Sequence, residues 1–487
     1  MIIVSITGPT MKDAIRQIDA SERYADIIEL RFDAIERPNI IRLVEYPHKP
    51  VIATCRSRGE GGRFAGSSRE LMEVLDMASV FGASWVDIEL GADPAILRAF
   101  LARKREVKVI VSQHLKAGTT VNVRRSYAQL VASGADVIKF AYVATDAAEI
   151  RHARDFLARA SREKRRAVAI AMGEAGEASR VLYNVWGGWG TYAAAETGPV
   201  AAPGQLRAAV LRDLYKTGAL RRTTRVFGVI GHPLGQSKGP LIHNPLFARA
   251  GRNAVYCRFP TRDLSAFMKH IAPDLSGISV TIPHKQAIMK YLSGMDATAK
   301  AIGAVNTVVR RGRALYGTNT DAPGALDAIE DLLSVEGNAF LVVGTGGAAR
   351  AIAYEAARRG ADVMITGRSP GKGRRLAREL GVRWIPPGAV RRIAPRVIAN
   401  ATSVGMVPHP NKTPLRRSFL RAAVVFDAVY NPPVTRLLRE AKSMGARTVS
   451  GIEMYLNQAA LQSALYAGAP PDRRRMRKLL AAAGATA

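Results

Sequence analysis

Eight short runs of aliphatic and β-branched residues recur at intervals of about 20–35 positions through the first ~215 residues. They are Ile2–Ile6, Ile27–Arg31, Val51–Thr54, Trp85–Glu89, Val107–Ser112, Asp136–Phe140, Ala167–Ala171 and roughly Gly188–Ala193. Helix-patterned stretches such as Arg69–Phe81 and Ala147–Glu163 lie between several of them. Eight strand–helix alternations in so short a stretch predict a compact (β/α)8 barrel. The run Gly187-Gly-Trp-Gly190 blurs the start of the eighth strand.

A polar, basic stretch, Asp213 to Arg225, follows and reads as a linker. Val226–Ile230 opens a second α/β region, and Leu341-Val-Val-Gly-Thr-Gly-Gly-Ala-Ala-Arg350 begins another strand–turn–helix. The expected organisation is therefore α/β throughout. It comprises a barrel over 1–215, a substrate-binding domain over 226–335 completed by a helical tail at 451–487, and a Rossmann domain over 336–450.

Composition narrows the function. The charged and hydrophobic shares, 23% and 48%, are those of a globular chain. No apolar run approaches the ~18 residues of a membrane span. The opening Met1–Gly8 lacks a basic leader and reads as a strand. Two cysteines, Cys55 and Cys257, give neither a disulfide framework nor a metal set, which favours a reducing cytoplasm. The excess of 71 Lys+Arg over 40 Asp+Glu, +31, raises a nucleic-acid reading. Against it, the cations are scattered, aromatics are 6%, and no nucleic-acid-reading motif is present. Anionic small molecules fit the charge better.

In a barrel, chemistry gathers at the C-terminal ends of the strands. There stand Glu29 and Arg31 after strand 2, Arg56 and Glu60 after strand 3, and His114 after strand 5. Lys139 ends strand 6, Arg180 follows strand 7 and Gln205 strand 8. A lysine ending an apolar strand is desolvated and here close to cations, so its amine is expected to be a good nucleophile toward a ketone. The guanidinium fork of arginine suits a carboxylate substrate. Singly, a Lys or His at a strand end is more often a surface or supporting group; the joint pattern carries the argument.

Six motifs stand in order: Ile28-Glu-Leu-Arg-Phe-Asp33, Thr54-Cys-Arg with Gly59-Glu-Gly-Gly62, Ser112-Gln-His114, Gly134-Ala-Asp-Val-Ile-Lys139, Met172-Gly with Ser179-Arg180, and Ala202-Pro-Gly-Gln205. Residues 1 to ~210 thereby resemble type I 3-dehydroquinate dehydratase. The resemblance implies that Lys139 forms an imine with the substrate, that His114 is general base and then acid, and that Glu60 orients His114. It implies further that Ser5, Glu29, Arg31, Arg56, Arg180 and Gln205 bind the substrate, with Arg180 on its carboxylate. Ala201 stands where the family usually has Ser.

In the second half, Gly344-Thr-Gly-Gly-Ala-Ala349 sits between a strand and a helix, the setting in which a helix N-terminus receives a dinucleotide pyrophosphate. The next strand ends in Gly367-Arg-Ser369 with no acidic residue for a ribose hydroxyl. Arg368, Ser369 and Lys372 instead suit a 2′-phosphate, so NADP(H) is expected rather than NAD. Ser279-Val-Thr-Ile-Pro-His-Lys285, Gly303-Ala-Val-Asn-Thr307, Gly317-Thr-Asn-Thr-Asp321, Asp427-Ala-Val-Tyr-Asn-Pro432 and Gly451-Ile-Glu-Met-Tyr-Leu-Asn-Gln458 complete a set similar to shikimate dehydrogenase over ~226–475. This implies Lys285 and Asp321 as the catalytic pair, and Ser237, Thr281, Asn306, Asp321, Tyr430 and Gln458 around shikimate. Gly344, Thr345, Gly346, Gly347, Ala348, Arg368, Ser369, Lys372, Ala428 and Gly451 are expected at the cofactor. Gly239 replaces a family serine, which leaves quinate oxidation as an alternative for this half, and Gly367 replaces an asparagine.

The expectation is one chain with two consecutive shikimate-pathway steps toward chorismate and the aromatic amino acids. It needs no metal, and oligomeric state is not legible.

Overall fold

The structure, a computed structural model, describes residues 1–103, 106–235, 237–468 and 471–482. The eight N-terminal runs become β1 (Ile2–Ile6), β2 (Ile27–Arg31), β3 (Val51–Thr54), β4 (Trp85–Glu89), β5 (Lys108–His114), β6 (Val137–Val143), β7 (Arg166–Met172) and β8 (Thr191–Ala194). Their order is 7-6-5-4-3-2-1-8 and the pairing is parallel, giving a nearly closed barrel. The first four strands keep their expected bounds. β5 and β6 run on past Ser112 and Phe140 because their extra residues pair with each other, His114 opposite Ala141. β8 starts only at Thr191, since Gly187, at φ 81°, turns the chain first. The helix expected over Ala147–Glu163 is a 3-10 turn, Ala147–Ile150, followed by an α-helix, Arg151–Arg162.

The pleat explains how an apolar barrel carries a polar site. Ile3, Ile27, Ile52, Ile110 and Val137 fill the barrel interior, with Trp85 packed against them. Two positions further along each strand, on the same side, stand Ser5, Glu29, Thr54, Ser112, Lys139 and Asp87. One apolar layer thus supports one polar layer toward the C-terminal rim.

The chain forms two compact units, Met1–Val226 with Asn253–Asp274, and Phe227–Arg252 with Leu275–Ala487. After β9 (Arg225–Gly231), strand β10 (Ala254–Pro260) and the helix Leu264–His270 therefore group with the barrel. The stretch read as a linker is packed rather than free, with Tyr215 and Thr217 buried. In the second unit, β9 is followed in the sheet by β11 (Leu275–Val280), β13 (Thr307–Arg311), β14 (Ala314–Thr318) and β12 (Gly294–Met295). A second, parallel sheet contains β15 (Ala339–Val343), β16 (Asp362–Thr366), β17 (Arg383–Trp384), β18 (Val397–Asn400), β19 (Val424–Asp427) and β20 (Arg447–Val449) in the order 17-16-15-18-19-20. That is the doubly wound Rossmann order, with its switch point beside β15. The helix Gly451–Ala467 packs Ile452, Leu456 and Ala459 against Ile242 of the helix Gly239–Arg249. No helix among the described residues is long and apolar enough to cross a membrane.

Candidate active sites

At the barrel rim, Lys139 is 4% exposed. Its Nζ donates to Asp87 Oδ2 at 2.9 Å, lies 3.7 Å from Glu29 Oε1, and sits 3.9 Å from the centre of the Tyr192 ring. The nearest ionic partners are thus carboxylates, where the sequence reading expected cations. Glu29 is fixed by donors on both sides, Ser5 Oγ at 2.6 Å and Thr54 Oγ1 at 3.0 Å. Arg56 is the hub of the layer. One terminal nitrogen meets Asp87 at 2.9 Å, and the other meets Ser112 Oγ at 2.8 Å, Glu89 at 3.3 Å and Glu60 at 3.4 Å. Burial works to raise the Asp87 carboxyl, but Arg56 and then Lys139, with the Ser112 hydroxyl, outweigh it and hold it well below the usual carboxylate range.

His114 Nδ1 and Glu60 Oε2 are 2.7 Å apart. Burial, with Glu89 and Asp87 beside it and Arg56 and Lys139 opposing, pushes Glu60 up to about 7. Burial first, then Arg56 and Lys139, lowers His114 well below its usual value. The imidazole is therefore neutral, and the spare proton of the pair is best held by the carboxyl.

Arg180 is buried. Its Nη1 donates to the Tyr192 carbonyl at 3.1 Å, and its Nε has no hydrogen-bond partner among the described residues. Burial lowers this guanidinium to about 10, opposed by Glu177. Gln205 is buried, and its Oε1 accepts from the Ala201 backbone N–H at 3.0 Å. Its loop is stitched to the end of β7 by Gly173 N–H donating to Pro203 at 3.0 Å. Ser5, Glu29, Arg56, Glu60, His114 and Lys139 thus form one connected network, with Arg180 joined to it through Tyr192. Arg31 donates from Nε and Nη2 to Asp33, at 2.8 Å each.

Sequence reasoning missed Asp87 and Glu89, the latter fixing Ser57 as well as Arg56. Two acids alternating in the otherwise apolar run Trp85–Glu89 were the available signal.

In the second unit, Lys285 Nζ and Asp321 Oδ2 are 2.5 Å apart. Asp321 opens the helix Asp321–Glu330, and Asn319 Oδ1 holds this start by accepting from the backbone N–H of Asp321 at 3.0 Å and Ala322 at 3.1 Å. Asn306 is woven into the same turn: its Oδ1 accepts from Thr320 N–H at 2.8 Å and its Nδ2 donates to Thr320 Oγ1 at 2.9 Å. Among the described residues Gln458 bonds only its own helix, through the Tyr455 carbonyl at 3.2 Å, whereas Gln462, one turn on, reaches Thr307 Oγ1 at 2.8 Å and Ser279 Oγ at 2.9 Å. Gln462 was missed because the motif stops at Gln458. Tyr430 packs against Tyr455 with tilted rings whose centres are 5.5 Å apart, and Lys238, next to Ser237, lies 5.9 Å from the Tyr430 ring. Thr281 is held by its backbone, donating to Ile230 at 2.9 Å.

Of the residues expected at the cofactor, those of the glycine turn lie at the switch point beside β15. Gly344 follows β15 at φ 132°, where a Cβ would stand 3.1 Å from the Ala401 carbonyl. Gly346 caps the helix Gly347–Arg358 with no side chain on its amides, and Thr345, Gly347 and Ala348 flank that turn. A Cβ on Gly347 would lie 3.3 Å from Lys285 Cδ, so Lys285 reaches this same helix start. After β16, Arg368 and Lys372 are exposed and Ser369 caps the next helix. At Gly367 a Cβ would make only ordinary contact, 3.4 Å from Thr345 Cγ2. Gly451 abuts Ala428, whose carbonyl would be 2.6 Å from a Cβ there. A bare helix start with two exposed cations beside it fits a dinucleotide carrying a 2′-phosphate.

The model of type I 3-dehydroquinase matches residues 2–220, and that of the shikimate dehydrogenase substrate binding domain matches residues 229–308. The bifunctional 3-dehydroquinate dehydratase/shikimate dehydrogenase, chloroplastic, of Arabidopsis thaliana is 35% identical over 96% of this chain and 82% of its own length. A shikimate dehydrogenase (NADP(+)) of Shouchella clausii is 39% identical over 53% of this chain and 98% of its own. The crystal structure of shikimate 5-dehydrogenase from Thermus thermophilus in complex with NADP(H) and shikimate overlays with a TM-score of 0.50 at 34% identity, over 53% of this chain and 99% of that one. The quinate alternative gains no support from these matches. With a barrel that carries a lysine–carboxylate site, and behind it a lysine–aspartate site beside a Rossmann turn, in the order of the plant enzyme, this chain belongs to the family of bifunctional 3-dehydroquinate dehydratase/shikimate dehydrogenases.

Proposed function

We propose that the barrel dehydrates 3-dehydroquinate to 3-dehydroshikimate and that the second unit reduces this product to shikimate with NADPH. The pairing of Lys139 with Asp87 beside the His114–Glu60 dyad is the observation that carries the first step. The functional domains assigned are 1–215, 226–335 with 451–487, and 336–450, and a cytoplasmic setting with small anionic substrates, no nucleic acid and no membrane suits them.

In the barrel, the Lys139 amine adds to the substrate ketone and water leaves, giving an imine. The imine acidifies the neighbouring C–H, His114 takes that proton, and then returns it to the departing hydroxyl, which leaves as water. Water then hydrolyses the imine and frees the lysine. Arg180 pairs with the carboxylate, while Arg56 holds Asp87 and Glu60 in place. In the second unit NADPH, when bound, supplies a hydride. Lys285 gives a proton to the carbonyl oxygen of the substrate, and Asp321 holds that ammonium in position. Arg368 and Lys372 hold the 2′-phosphate. A coupled assay of purified protein with 3-dehydroquinate and NADPH tests the whole: cofactor absorbance falls only if both sites work.

The dyad sets a pH dependence. Above pH ~7 Glu60 is ionised and accepts from Nδ1–H, which leaves Nε2 free as the base. Below it, the extra proton on the pair removes the base. Dehydration kcat/KM should therefore fall about ten-fold per pH unit below ~7. Glu60→Gln should abolish that limb near 7, and an unchanged limb would assign it to another group. At the cofactor, Arg368→Ala should raise KM for NADPH about ten- to hundred-fold, the scale of a charge-assisted hydrogen bond, with KM for NADH changed less than about two-fold. Equal effects on both would remove the arginine from the 2′-phosphate.

A further inference from the structure

Residues 253–274 lie beyond the barrel strands yet belong to the barrel's unit. Three of their attachments fall on chain that follows β6 or β7. Asp146, past the end of β6, accepts from the backbone N–H of Arg262 at 2.6 Å and Asp263 at 3.0 Å. Arg154, on the helix Arg151–Arg162, donates to the His270 carbonyl and to Asp274, at 2.6 Å each. Arg258, on β10, donates to both oxygens of Glu177, at 3.1 and 2.6 Å. Since β6 carries Lys139 and the chain after β7 carries Arg180, this segment braces the two catalytic-end loops that matter most.

The Arg258 contact is the specific one. Glu177 is 6% exposed and begins the helix Glu177–Leu182, with Arg180 one turn later. Six residues are too few for a helix to hold itself in water, so its position depends on anchors. On the strand side Ser179 is the anchor: its Oγ accepts from Ala171 N–H at 3.0 Å, and at Gly176 a Cβ would be 2.1 Å from the Ala171 carbonyl. On the other side is Glu177, held by Arg258 and by Tyr215 Oη donating at 3.0 Å. Arg180 itself contributes little to its own aim: among the described residues it makes one bond, to Tyr192, and its Nε has no hydrogen-bond partner.

We propose that Arg258 is a positioning residue for dehydration, whose two-point clamp on Glu177 fixes the helix that aims Arg180 at the substrate carboxylate. The inference rests on the reading of Arg180 given above. The dehydratase site thus reaches past the barrel into residues 253–274.

The test uses the full-length chain and the kinetics of dehydration. Arg258→Ala should raise KM for 3-dehydroquinate about ten-fold with kcat within about two-fold, because a misaimed arginine weakens ground and transition state alike. Arg258→Lys should recover a good part of the loss. Borohydride with saturating substrate should still trap the imine in full. An unchanged KM, a fall in kcat without a rise in KM, or no rescue by lysine would overturn the proposal. Should Arg258→Ala fail to fold, Glu177→Gln reads the same effect, since it keeps the Tyr215 bond and loses the ion pair. Arg180→Ala, run in parallel, separates the failures. If KM is unmoved there, the carboxylate assignment falls; if KM rises there but not in Arg258→Ala, only the clamp falls.

Discussion

Lys139→Ala should lower 3-dehydroquinate dehydration by more than about 10⁴-fold, the scale of removing a covalent nucleophile, with shikimate formation from dehydroshikimate unchanged. No neighbour can replace the amine, because the other cations of the layer are guanidinium groups, which remain protonated and form no imine. The variant should fold. Taking one partner from a buried ion pair typically costs about 3–5 kcal/mol, but Asp87 keeps Arg56 at 2.9 Å and Ser112 at 2.6 Å, and Glu29 keeps Ser5 and Thr54, so the loss lies at the low end. Lys139→Met, which retains the stem, serves as a second variant. Borohydride added with substrate should increase the mass of the wild type and of neither variant. A trapped adduct on a folded Lys139 variant, or loss of both activities together, would refute the two-site assignment.

What the sequence made legible follows from what is local. Strands β1 to β4 were readable to the residue because turn and helix signals bound their apolar runs. β8 was not, because Gly187 and its neighbours have no periodicity to read. Lys139, Lys285, His114 and the Rossmann turn stand in motifs whose chemistry is contained within a few residues. Asp87 and Glu89 stand in no motif with a neighbouring cation, although their two-residue spacing places both on the polar side of β4. Arg31 gives its Nε and Nη2 to its neighbour Asp33, two residues away, a partner already contained in its own motif. The docking of 253–274 on the barrel joins Arg258 to a residue 81 positions earlier, and no local pattern encodes such a partner. Gln462 is the intermediate case: helical spacing puts it on the face of Gln458, but only the fold shows that it is the residue tied to Ser279 and Thr307.

Lys285→Ala should have the opposite effect, reducing dehydroshikimate reduction by about 10²–10⁴-fold, the range for a general acid, while leaving dehydration and imine trapping intact. The geometry decides the form of the loss. Lys285 is held by Asp321 at 2.5 Å, and Asp321 is in turn held by the helix start that Asn319 caps, so the ammonium has little freedom of its own. Asp321→Asn keeps the shape and removes the charge that fixes the ammonium, and it should cost nearly as much. Because the two act as one unit, the double variant should be about as slow as the slower single one rather than the product of both. The Asp321 carboxylate left behind lies at a helix N-terminus, where the dipole favours negative charge, so thermal stability should change little. NADPH affinity, followed by fluorescence titration without substrate, should survive in both, since the contact is proposed to rest on Gly344, Gly346 and Arg368. Full additivity of the two substitutions would show that Lys285 and Asp321 act independently, and loss of dehydration in a folded Lys285 variant would tie the two sites together in a way that separate lysines do not explain.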